Sequence, residues 1–235
     1  MLVPETLRVL ELFCGQHDVR KHLYERNPNQ SVHYTGIDAN PLLHLLIEDR
    51  DLAPGNRIHV ARIHPVTLSI HDHQALRKQL DDLLGRDRFH EIYSVMPPST
   101  LPMYAANTGA LRILARHLEP GGRLTYVIDV NWNFLGESLQ NHIGLPLGGD
   151  DTVQRYMENR KHLEELAAQA GLTVHAYAFK PLDANWQSKY PWHSNDEFFE
   201  GEPIERWIHR LSANARYAHH AVVFEKPELT SGSTS

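Results

Sequence analysis

The residues best suited to chemistry gather at a few short segments of this 235-residue chain. The first is Glu11-Leu12-Phe13-Cys14-Gly15-Gln16, where an apolar run ends in a carboxylate, a thiol and a glycine. Gly15 lets the backbone turn tightly and come close to a ligand. The second is Gly36-Ile37-Asp38-Ala39-Asn40-Pro41. The Asp38 carboxylate can accept both hydroxyl protons of a ribose, and its separation from Gly15 by roughly 20 residues is that of a nucleoside-binding unit. The third is Met96-Pro97-Pro98-Ser99, a rigid, extended exit from a strand. Cys14 is the lone thiol; it is either a reactive group at a helix N-terminus or a small packing residue.

Histidine is the unusual count, 17 in all. His71-Asp72-His73 and His219-His220 put ligand types side by side, but neighbouring residues on a helix or strand point in different directions, so no metal is expected. Asp72 reads better as an acidic group at the positive end of a helix. Tyr104, His142 and His193 are the candidate bases or orienting groups. Asp129 is either a metal ligand or a loop cap.

These segments need a frame, and the apolar pattern predicts one. Strands are predicted at Arg8 to Phe13, Val32 to Asp38, Arg57 to Ile63, Glu91 to Met96, Arg123 to Val130, Leu172 to Phe179 and Ala218 to Glu225. Helices are predicted at about Asp18 to Arg26, after Pro41, at His71 to Leu84, Met103 to Leu118 and Thr152 to Ala170. Glu119-Pro120-Gly121-Gly122 stops the fourth of these. Such regular alternation builds a parallel sheet covered on both faces, an α/β fold that binds ligands outside the carboxyl ends of its strands. The segments rich in chemistry follow the first, second and fourth strands.

Residues 1–228 read as one domain, with candidate lids at 131–151 and 183–214 and a polar, disordered tail at 229–235. The aromatics of the second lid, Trp186, Tyr190, Trp192, Phe198, Phe199 and Trp207, either face a substrate or pack the insertion's own core. A net charge of −6 argues against a globally basic nucleic-acid binder. One cysteine excludes an internal disulfide and a thiolate zinc cage, and with no apolar run of about 18 residues the expectation is a soluble cytoplasmic protein. The oligomeric state is open, a homodimer included.

Taken in order, the turn at Gly15, Gly36 to Pro41, Val95-Met96-Pro97-Pro98 and Leu118-Glu119-Pro120-Gly121-Gly122-Arg123-Leu124 resemble the class I S-adenosylmethionine (SAM)-dependent methyltransferase superfamily. The resemblance spans roughly residues 7 to 226, and the turn at Pro120-Gly121-Gly122 is its most specific match. It implies a Rossmann-like, seven-stranded, mostly parallel sheet with helices on both faces and one antiparallel strand at the C-terminal end. It also implies SAM as cofactor. Asp38 would hold the ribose, with Ala39 beside it, and Phe13, Cys14, Gly15 and Gln16 would cradle the methionine moiety. Ile63 and His64 would flank adenine, Met96 and Pro97 would line the crevice, and Glu11 would order the turn or meet the cofactor's amino group.

The chain departs from relatives that modify bases. Met96 and Ser99 stand where DNA amino-methylating enzymes carry a polar and an aromatic residue, and Ser99 stands where cytosine-C5 enzymes carry a cysteine. The expected function is methyl transfer to a small-molecule O or N acceptor. The alternatives are a non-catalytic SAM- or nucleoside-binding relative and an RNA (tRNA) methyltransferase. A nicotinamide oxidoreductase is disfavoured, because its pyrophosphate needs a fuller glycine turn.

Overall fold

Alternating β-branched and apolar residues make Thr6–Leu12 (β1), Ser31–Asp38 (β2) and Ile58–Pro65 (β3) strands, and the three pair in parallel with β2 between the other two. The structure is a computed structural model that describes residues 5–12, 14, 19, 23, 29–39, 58–69, 72–95, 108–130, 160–180, 193–194, 197–198, 202–203 and 218–228. The remaining long strands are Phe89–Val95 (β4), Leu118–Val130 (β5), Thr173–Lys180 (β6) and Ala218–Glu225. Between the last two lie the two-residue strands His193–Ser194 (β7), Glu197–Phe198 (β8) and Glu202–Pro203 (β9), so Ala218–Glu225 is β10.

The sheet order is β3-β2-β1-β4-β5-β10-β6-β7. The seven long strands are those the sequence predicts; β7 extends the sheet to eight. β10 inserts between β5 and β6 and runs antiparallel to both. Chain order reverses direction across the sheet between β1 and β4, which places the switch-point crevice at their carboxyl ends.

Three helices are described between the strands: His73–Leu84 (α1), Thr108–Arg116 (α2) and Arg160–Gln169 (α3). In α1 the buried residues Leu76, Leu80 and Leu84 recur every four positions, as an amphipathic helix requires. Asp72 caps it by accepting from the backbone N–H groups of Gln74 and Ala75, both at 3.0 Å. That is the role the sequence assigns to Asp72. The helix starts two residues later than predicted because the cap itself is non-helical. Gly85, at φ 57°, ends it.

All three helices bury leucines and alanines against one sheet face, where Leu10, Leu12, Ile37, Ile92, Leu124, Val222 and Phe224 meet them. The opposite face, by strand alternation, carries Val9, Glu11, Tyr34 and Tyr93. Val19 and Leu23, helical and fully buried, mark apolar packing early in the chain.

The Pro-Gly-Gly segment is where the structure differs most from the predicted elements. The sequence puts a turn at 119–122 and starts the strand at Arg123, but β5 already begins at Leu118. Leu118 pairs with Phe89 and Arg123 with Glu91, so the segment is looped out of the ladder opposite a single residue, His90. Gly121 adopts φ 74°, and a Cβ on Gly122 would stand 2.8 Å from the Glu119 carbonyl oxygen. Backbone bonds between Gly121 and Lys226 and between Lys226 and Gly122 then fasten the loop to the strand β10 leaves.

The lid at 131–151 and the tail at 229–235 fall outside the described residues, as does the lid at 183–214 apart from β7, β8 and β9, and residue 228 is the last one described. No helix among the described residues is long and apolar enough to cross a membrane.

Candidate functional site

At the carboxyl end of β1 the chain places Glu11 fully buried, although a lone carboxylate is costly to bury. The structure supplies a partner that the sequence gives little hint of. Tyr34, on β2 and 1% exposed, donates its hydroxyl to Glu11 Oε2 at 2.5 Å. One strand over, Tyr93 donates to Glu91 Oε2 at 2.6 Å. Glu11 is in register with Tyr93, so two carboxylate–tyrosine pairs sit side by side on one sheet face. The signal for them was a Glu or Tyr at alternate positions of otherwise apolar strands.

Beyond Glu11 the chain leaves the strand, and the Cys14 amide donates to the Ile37 carbonyl at 3.2 Å. This bond ties the turn to the end of β2, next to Asp38. The Cys14 thiol is pushed from 9.0 to about 12, first by burial, then by the carboxylates of Glu11 and Asp38, against a smaller opposing effect from Tyr34. Burial and the two carboxylates thus favour the protonated thiol, the state of a packing residue.

Gly36 is the spatial keystone here. A Cβ on it would lie 2.9 Å from Cys14 Sγ, 3.0 Å from Ile63 Cδ1 and 3.3 Å from Tyr34 Cε1. Only a missing side chain lets β1, β2 and β3 close up at this point. His64 follows on β3 in register with Ile37; burial, then Arg62, holds its pKa below 6.5. Its buried Nε2 has no hydrogen-bond partner among the described residues. Ser94, in register with Leu12 at the end of β4, likewise has a buried hydroxyl without such a partner.

The structure thus brings together Glu11, Cys14, Asp38 and Ile63, with Ala39 exposed and His64 beside them. Phe13, Gly15, Gln16, Met96, Pro97, Tyr104 and His142 lie outside the described residues. His193 is in register with Phe179 on β7, five strands from β1 in the sheet order, or roughly 24 Å at the usual strand spacing. Asp129 is in register with His219 on β10. No group of three or more His, Cys, Asp or Glu suited to a metal occurs among the described residues.

A second concavity, about 470 Å³, opens at the other end of the sheet among Asp81, Gly85, Arg86, Arg88, Arg116 and His117. Its size suits a ligand, but its charges have a structural explanation. α1 and α2 both end there, and cations complement the negative ends of helices. Asp81 is 3.5 Å from Arg77 and 3.8 Å from Arg116. His117 is 2% exposed, 3.3 Å from the Asp87 carbonyl, and burial lowers its pKa, so it is neutral.

No protein-family model matches the chain, and no curated protein is similar to it. Solved structures are. A 16S rRNA methyltransferase, KamB, has a TM-score of 0.51 over 94% of this chain and 88% of its own, at 16% identity. An antibiotic-related methyltransferase gives 0.51 over 93% and 88%, at 15% identity. The likeness is one of fold alone: this chain has the Rossmann-like fold of these two methyltransferases.

Proposed function

We propose that this chain uses its class I methyltransferase fold to bind SAM and transfer the methyl group to a small-molecule O or N acceptor. The observation that carries the reading is that two carboxylates, Glu11 and Asp38, lie close to Cys14 at the switch point of the sheet. A cofactor whose reactive end is a sulfonium beside an ammonium is favoured there, whereas a dinucleotide's pyrophosphate is repelled.

The residues present fit SAM. Asp38, half-buried at the end of β2, would accept the ribose hydroxyls, and Ile63 and His64 on β3 would offer an apolar edge and an imidazole to adenine. Backbone from Phe13 to Gln16 would hold the methionine portion, with Glu11 behind it, and Met96 and Pro97 would close the far wall. When bound, SAM supplies an already activated methyl group, so the protein's task is to align an acceptor and exclude water. Tyr104 and His142 are the groups we propose to orient or deprotonate that acceptor. RNA as acceptor is a second reading; the rRNA enzyme of the same fold favours it, and the net charge of −6 weighs against it.

The test is a thermal-shift and calorimetric comparison of SAM, its demethylated product and NAD. We expect both sulfur compounds to bind and NAD not to. Asp38→Ala should weaken SAM binding by about 1–3 kcal/mol, or roughly 5- to 150-fold in Kd. Equal affinities would remove Asp38 from the site. Binding without turnover across an acceptor panel would favour the non-catalytic relative.

A further inference from the structure

Tyr34 is fully buried, yet its hydroxyl serves the one place where the proposed site needs a charge held still. It donates to Glu11 Oε2, and the Cys14 side chain is a further hydrogen-bond neighbour of Tyr34. The ring edge, meanwhile, packs against the bare α-carbon of Gly36. One phenol thus touches the β1 carboxylate, the turn and the end of β2. Tyr93 makes the chemically equivalent bond to Glu91, whose register partner is Val9, one pleat further from the crevice.

We infer that Tyr34 is a positioning residue of the cofactor site, fixing the Glu11 carboxylate so that its charge serves the cationic amino-acid end of SAM. The inference rests on the methyltransferase reading above and adds a division of labour. Asp38 recognises the nucleoside, and the Tyr34–Glu11 pair recognises the methionine portion. A carboxylate without this donor would still be negative but would lose one of the contacts that orient it, and a charge that moves binds less well than one held in place.

The experiment compares wild type, Tyr34→Phe, Tyr93→Phe and Glu11→Gln by calorimetry. The probes are SAM, its demethylated product and 5′-methylthioadenosine, which lacks the amino-acid end. Tyr34→Phe should weaken both amino-acid-bearing ligands about tenfold and leave 5′-methylthioadenosine unchanged. Tyr93→Phe, the same deletion on the same sheet face, should leave all three unchanged. Glu11→Gln should reproduce the Tyr34→Phe pattern and add little in the double variant, which keeps the test open if one variant folds poorly. Equal losses for all three ligands, or losses in Tyr93→Phe matching those in Tyr34→Phe, would reduce Tyr34 to a structural role and overturn the inference. If wild type binds none of the ligands, the methyltransferase reading itself fails and takes this inference with it; wild-type binding with an unaffected Tyr34→Phe defeats this inference alone.

Discussion

Replacing Gly36 with alanine pits two effects of known sign against each other. Gly36 has no left-handed backbone angle, so alanine there should stabilise by about 0.4–1 kcal/mol through the unfolded chain. The new methyl, however, would stand 2.9 Å from Cys14 Sγ and 3.0 Å from Ile63 Cδ1, both inside van der Waals contact. Overpacking of this kind costs about 1–3 kcal/mol. The net expectation is a loss of roughly 1–2 kcal/mol, or about 2–8 °C in Tm for a chain of this size. Removing the opposing sulfur identifies the cause, because in Gly36→Ala/Cys14→Ala the methyl on residue 36 takes the space of the thiol. The double variant should recover about 1 kcal/mol relative to the sum of the singles. Urea denaturation of the four proteins at constant m-value measures this cycle. Additivity within about 0.5 kcal/mol, or a Gly36→Ala protein as stable as wild type, would refute the packing argument.

Two further predictions follow from titration. With its pKa near 12, Cys14 should react with an aromatic disulfide at pH ~8 about a thousandfold more slowly in the native protein than in urea, since the thiolate is scarce and buried; comparable rates would contradict the protonated thiol. His117 is held below its ordinary pKa of 6.5 by burial, so its contribution to stability is present above that pH and is lost as pH falls through the folded value. His117→Gln should therefore flatten the decline in unfolding free energy between about pH 7.5 and 5.5, and a pH curve parallel to that of wild type would show that His117 does not carry it. His64 and His90 are shifted in the same direction and leave a residual slope.

Much of the frame was legible because its signals are local. The seven long strands announce themselves as short apolar runs, and α1 by leucines at every fourth position with Asp72 ahead of them. What local signals do not carry is where a chain closes against a distant segment. The sequence reads the Pro-Gly-Gly segment as a simple helix stop, whereas it is a loop inside paired strand, fastened by Lys226 more than 100 residues away. Nothing near Pro120 marks that partner. Lys226 also donates to the Ala115 and Leu118 carbonyls, a cap for α2 supplied from the far end of the chain.

The site shows the same division, with an added lesson about glycine. Asp38 and Cys14 could be expected at strand ends from type and spacing alone, because each follows an apolar run. Their support could not, since Tyr34 and Glu11 look like strand residues until the parallel register sets them on one face. By family habit the first turn should hold several glycines, and here only Gly15 stands. The structure accounts for part of that shortfall across the sheet. Cys14 occupies space beside the first turn, and Gly36 vacates the matching space on β2, with the closest approach at 2.9 Å. Close approach at this crevice is thus achieved by a size-complementary pair, Cys14 beyond the end of β1 and Gly36 on β2. A larger residue at position 14 would then have to be matched by nothing smaller than glycine at 36.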